Sequence, residues 1–121
     1  MDTTAHWVAA TREDGETVGH VEPLDEDFEL VQPRSLLGHP VGAPTDYCAA
    51  EERLVERGIG ELAGLWTLDA GTAQTLHRVG IVELSRDGIV VADALLTKAL
   101  SPTARHRIPW PDLEGRLRPE D

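Results

Sequence analysis

Residues 75–96 read TLHRVGIVELSRDGIVVADALL. Two runs rich in β-branched and aliphatic residues, Thr75 to Ser85 and Ile89 to Leu96, flank Arg86-Asp87-Gly88. An Asp-Gly pair is a preferred centre for a two-residue hairpin turn, because the central positions need positive φ. The expected register places Val82, Leu84, Ile89, Val91 and Leu95 on one face, and Val79, Ile81, Val90, Ala92, Ala94 and Leu96 on the other. Both faces are apolar, so this hairpin belongs in the middle of a sheet with cover on each side. Leu65 to Leu68 reads as a preceding strand and completes a three-stranded meander.

Outward from the meander, His6 to Arg12 and Thr17 to Val21 flank a second Asp-Gly turn, Glu13-Asp14-Gly15-Glu16. Pairing Arg12 with Thr17 gathers Trp7, Ala9, Thr11, Val18, His20 and Glu22 on one face, and His6, Val8, Ala10, Gly19 and Val21 on the other. From Glu22 to Val31 the chain runs as an acidic loop into a short alternating strand with Phe28 and Leu30 on one side. Three prolines and two glycines between Gln32 and Pro44 read as a connector. Thr45 to Arg57 then reads as a helix. Thr45 is the expected N-cap, and Tyr47, Ala50 and Leu54 form the apolar stripe. Gly58 supplies the left-handed stop, and Ile59 is placed to touch Leu54. The helix is expected to lie on the meander.

These elements predict an α+β fold, a mostly antiparallel β-sheet or a partly closed barrel, made of two Asp-Gly hairpins and a three-stranded meander with one amphipathic helix. A chain of 121 residues suits one domain. Residues 1–100 are expected to form it, and residues 101–121, with four prolines, a C-terminal strap or arm.

The formal charge of −11 argues against nucleic acid or anionic membrane as partner, since both are bound by displacing counterions with positive charge. The charge is uneven. Residues 98–118 hold five basic and two acidic side chains, a net of +3, whereas residues 1–97 hold six basic and 18 acidic ones, a net of −12. No apolar run is long enough for a membrane span, and Met1-Asp2-Thr3-Thr4 does not begin a standard signal peptide. A single cysteine, Cys48, forms no internal disulfide, so a cytoplasmic location is expected. Lys98 is the one lysine and asparagine is missing altogether. AT-rich codons specify both residues, which points to a GC-rich bacterial source.

Several constellations bear on function. Trp7, His20 and Glu22 share a hairpin face where an imidazole beside a carboxylate suits general base chemistry and an indole suits ligand holding. His20 and Glu22 are the catalytic candidates and Trp7 a binding candidate, weighed against an ordinary half-exposed hairpin face. Asp25 and Asp27, with Glu26 and Glu29, offer hard oxygen ligands, yet Leu30 stands where a calcium loop needs its turn glycine and the distal glutamate is missing. A solvated acidic loop, available to a partner, is the plainer reading. Gly58 to Gly64 follows a helix, whereas a dinucleotide fingerprint follows a strand. Cys48 has no cysteine-enzyme signature around it. His77 and Glu83 lie on one strand and suit its rim better than a pocket. Arg105-His106-Arg107 with Trp110 combines cation and aromatic in the manner of nucleic-acid modules, but the acidic body opposes phosphate, so Trp110 is assigned to docking or protein recognition.

No metal or cofactor is expected. The preferred function is a small cytoplasmic interaction domain without enzymatic activity and with a protein partner, homo-oligomerisation remaining open. The alternatives are a small enzyme or ligand-binding protein with a cleft near Trp7, His20 and Glu22, and an acidic inhibitor or immunity-type protein.

Overall fold

The computed structural model describes residues 4–120, leaving Met1 to Thr3 and Asp121 outside the described residues. The chain forms two compact units, Met1–Ile59 and Gly60–Asp121. One carries a three-stranded antiparallel sheet and the other a five-stranded one. The fold is therefore α+β with sheet dominant, and neither sheet closes into a barrel.

The first unit is a meander, β1 (Val8–Thr11), β2 (Thr17–Pro23) and β3 (Val31–Arg34), with the helix α1 (Tyr47–Arg57) packed on one face. Val8 pairs with Val21, Ala9 with His20 and Ala10 with Gly19 as expected, but the expected pairing of Arg12 with Thr17 is not formed: Thr11 pairs with Thr17, and the Arg12 amide donates to the Glu16 carbonyl. A bulge next to Thr11 shifts the pairing there. It carries Val18 away from the Trp7 face and into the core with Ala10, Val21, Val31, Ala50 and Leu54, because an extra residue in one strand reverses the alternation beyond it. Gly19 is required for this packing. An added Cβ would stand 2.5 Å from the Arg34 carbonyl oxygen and 2.9 Å from Leu54 Cδ2.

Three expectations for this unit are corrected. The third strand is Val31–Arg34 and lies inside the supposed connector, while Phe28 and Leu30 belong to the loop before it. Pro33 is tolerated because β3 is an edge strand, and its carbonyl accepts from the Val41 amide. The N-cap is Asp46, whose carboxylate accepts from the Ala49 amide at 2.8 Å, and Thr45 instead bridges to Val31. The helix packs on β1, β2 and β3 rather than on the 65–96 meander. Its stop is as read: Gly58, at φ 72°, donates its amide to the Leu54 carbonyl.

The second unit opens with a 3-10 turn (Gly60–Ala63) whose Glu61 carbonyl accepts from the Trp66 indole. It continues through β4 (Trp66–Leu68), β5 (Leu76–Ser85), β6 (Gly88–Asp93), a short helix α2 (Ala94–Lys98), β7 (Arg105–Ile108) and β8 (Leu117–Pro119). The spatial order is β7-β6-β5-β4-β8, so the β5–β6 hairpin sits next to or at the centre as expected. Only β6 is buried along almost its whole length, whereas Val79 alone is buried on β5, so the expected cover on each side is incomplete. The hairpin turn also differs from expectation. Ser85 pairs with Gly88, which makes Arg86-Asp87 the central pair and leaves Gly88, at φ 152°, to open β6. A second bulge at Val82 then places Ile81 opposite Val91 instead of on the Val90 face.

The last strand residue of β6 is Asp93, because its carboxylate accepts from the Leu96 amide and starts α2. Leu95 and Leu96, expected in the strand, are consequently helical and exposed. Residues 105–108 and 117–119, within the segment expected as a strap or arm, are the two edge strands of the sheet. Ile108 and Leu117 are fully buried. Between them the buried Asp112 carboxylate accepts from the Arg116 and Leu117 amides and shapes the turn.

Two carboxylates in this unit set its response to acid. Arg116 donates to both oxygens of Asp69, at 2.8 and 3.0 Å, and holds that carboxyl below the usual range. Hydrogen bonds from the Thr67 hydroxyl and the Arg78 amide do the same for Glu120. A carboxyl whose folded pKa is lowered stabilises the fold above its unfolded value, about 4, and that stability is lost as pH falls through the folded value. The second unit is therefore expected to weaken below pH of about 4. Asn tolerates the φ of 53° at position 69, so Asp69→Asn should lower stability at neutral pH and flatten the acid limb. Urea unfolding at neutral and acid pH reads this, and an unchanged acid limb in the variant would contradict it.

Candidate functional site

The face of the first sheet opposite α1 carries Trp7, Ala9, His20, Glu22 and Arg34, because residues paired across antiparallel strands point the same way. Arg34 organises this face. Its guanidinium lies 5.0 Å over the Trp7 ring, Nε and NH2 donate to Glu22 Oε1 at 3.1 and 2.9 Å, and NH1 donates to the Gly38 carbonyl at 2.8 Å. The Trp7 and His20 ring centroids are 6.2 Å apart at a tilt of 44°. Cation, indole and imidazole thus stack into one layer with its geometry fixed by the strands.

Beside this layer lies an open cleft of about 480 Å³. Trp7, Pro23, Leu24 and Phe28 supply its apolar lining, and Glu22, Asp25 and Glu26 its acidic rim, with His6 at one side. The rim loop is held rather than loose. The Leu24 amide donates to the Leu30 carbonyl, and the Asp25 carboxylate accepts from the Glu29 and Leu30 amides at 2.9 and 3.0 Å. Phe28 adopts φ 58°, left-handed backbone that costs energy for a bulky residue, and its side chain remains exposed together with those of Leu24 and Leu30.

Of the residues singled out in the sequence, Trp7, Glu22 and Asp25 come together at this cleft, while His20 touches Trp7 without bordering it. Asp27 is exposed on the same loop. Trp110 is half-buried just after β7 in the second unit. Cys48 is exposed in the first turn of α1. His77 and Glu83 part company, His77 facing Glu120 at 3.6 Å and Glu83 facing Arg105 at 3.6 Å. Among the described residues no group of three or more His, Cys, Asp and Glu side chains is placed to hold a metal ion. Among them also, no helix is long and apolar enough to cross a membrane.

Arg34, Leu24 and Phe28 were not picked out from the sequence. Reading Gln32 to Pro44 as connector hid the pairing of His20 with Arg34. Phe28 reads in the sequence as a strand residue beside Leu30, and Leu24 as part of the acidic loop. Comparison with known proteins gives no matching family model, no matching curated relative and no matching solved structure.

Proposed function

We propose that the protein is a cytoplasmic interaction module whose first unit receives a basic segment of a partner protein, with an apolar side chain of that segment lying between Trp7, Leu24 and Phe28. The observation that carries this reading is an apolar cleft rimmed by carboxylates on a loop pinned at both ends. Clefts of roughly 300 to 1,000 Å³ hold side chains or small ligands, and a few charged groups at the rim then set what is accepted. Asp25 and Glu26 at the rim, with Asp27 and Glu29 on the same loop, are four carboxylates within five positions and no cation stands among them, so this side of the cleft prefers lysine and arginine. The overall charge of −11 steers such a partner from a distance. General base chemistry has less support, because Glu22 is engaged with Arg34, and His20 does not border the cleft.

A short lysine peptide with one central leucine is the probe, with its glutamate counterpart as control. Calorimetry should show binding of the lysine peptide that weakens with salt. Phe28→Asn keeps a residue that tolerates positive φ and removes the ring, so it should weaken binding by roughly tenfold without loss of stability. No binding of the lysine peptide, or equal binding of it by the variant and the parent, would remove the reading.

A further inference from the structure

The second unit holds an independent surface of opposite charge. A cleft of about 590 Å³ is bordered by Arg105, His106, Arg107 and Ile108, which are all four residues of β7. Successive side chains of a strand point to opposite faces, so a cleft that borders four consecutive strand residues runs along the backbone edge. Leu68, Leu76 and Ile108 give it apolar ground, and Asp69 and Arg116 stand on its far wall. Arg116 is fixed there by its two hydrogen bonds to Asp69.

Among the described residues β7 pairs with β6 and with no other strand, so its outer side is a sheet edge. Exposed edges template further pairing unless charge or proline blocks it. Pro109 ends the strand at once, and Arg105 and Arg107 put like charges opposite any second copy of β7. The same two arginines favour carboxylates on an incoming strand. Their present partners leave them available: Arg105 meets Glu83 at 3.6 Å with both side chains more than half exposed, and Arg107 reaches the Asp87 carbonyl at 3.4 Å.

The geometry points to strand addition at this edge by an acidic, extended segment of a partner protein. Main-chain hydrogen bonds to Arg105–Ile108 supply the affinity, carboxylates on alternate positions meet Arg105 and Arg107, and the intervening aliphatic side chains enter the cleft over Leu68 and Leu76. The net charge of +3 over residues 98–118 agrees with that partner and not with a second basic strand.

The test uses the full chain and a soluble peptide alternating glutamate with valine, with a lysine-valine peptide as control. Binding of the glutamate peptide should slow amide exchange of Arg105–Ile108 by about tenfold or more at saturation. Arg105→Glu combined with Arg107→Glu should weaken that binding by roughly tenfold or more and admit the lysine peptide instead. Raising ionic strength from about 0.05 to about 0.5 M should weaken binding to the parent, a readout that holds even if the double variant folds poorly. Equal protection of residues 105–108 by the two peptides, protection confined to residues other than 105–108, or displacement of the glutamate peptide by a single-stranded oligonucleotide would each overturn the inference.

Discussion

A chain ended after Leu100 is expected to lose the cooperative fold of its second unit. The deletion removes β7 and β8, and with them both edges of the five-stranded sheet. Ile108 and Leu117 are fully buried, and emptying one such aliphatic site costs about 2 to 5 kcal/mol. Two such losses approach the whole stability of a typical small domain, about 5 to 15 kcal/mol. The Asp112 turn and the Arg116 pair to Asp69 go too, which leaves Asp69 without its guanidinium. β6, buried along almost its whole length, would expose Val90, Val91 and Ala92 where β7 had covered its edge. Amide exchange should show protection lost from β5 and β6, and an apolar dye should bind the truncated chain. A truncated protein that melts as the full chain does would contradict this.

Leu54→Ala should cost about 2 to 5 kcal/mol, the range for emptying a core leucine site. Leu54 is the one large side chain that α1 drives fully into the first sheet, where it meets the surface left open by Gly19 and contacts Ala10, Val18, Val21 and Val31. Alanine cannot fill that space, and β2 is held in place by its pairing with β1 on one side and β3 on the other. Urea unfolding followed by far-ultraviolet circular dichroism reads the loss. A change under about 0.5 kcal/mol, the size of a surface effect, would show that α1 does not depend on this face.

Both predictions rest on parts of the fold that the sequence made legible to different degrees. The helix body and its Gly58 stop were readable, because cap chemistry and a 3.6-residue period are local. The pairing of Ala9 with His20 was expected too, but it is reached only through the extra residue in β2, because the turn itself closes with Arg12 opposite Glu16 and not Thr17. The bulges at Thr11 and Val82 were not readable. Each adds one residue to one strand for the sake of packing across the sheet, as Val18 shows by entering the core. β3 escaped because Pro33 looks like a breaker, and only an edge position makes it harmless. The strands at 105–108 and 117–119 escaped because prolines surround them and their pairing partners are distant in sequence.

At the cleft, Trp7, Glu22 and Asp25 could be named from pattern, but their relation could not. Arg34 ties Trp7 to Glu22 from a strand that the pattern concealed. Phe28 became a wall residue through a left-handed backbone that no apolar period signals. Charge was legible at low resolution only. The acidic 1–97 and basic 98–118 segments were evident, whereas the edge position of Arg105 and Arg107 required the strand order.

The central claim is that the acid-rimmed cleft over Trp7 receives a basic segment, and its most direct test is an amide and indole chemical-shift titration of the full chain with the lysine peptide. The account predicts saturable shifts at the Trp7 indole and at residues 22 to 28, with those at 105 to 108 unmoved. Shifts centred on β7, or no shifts at residues 22 to 28 at saturating peptide, would contradict it.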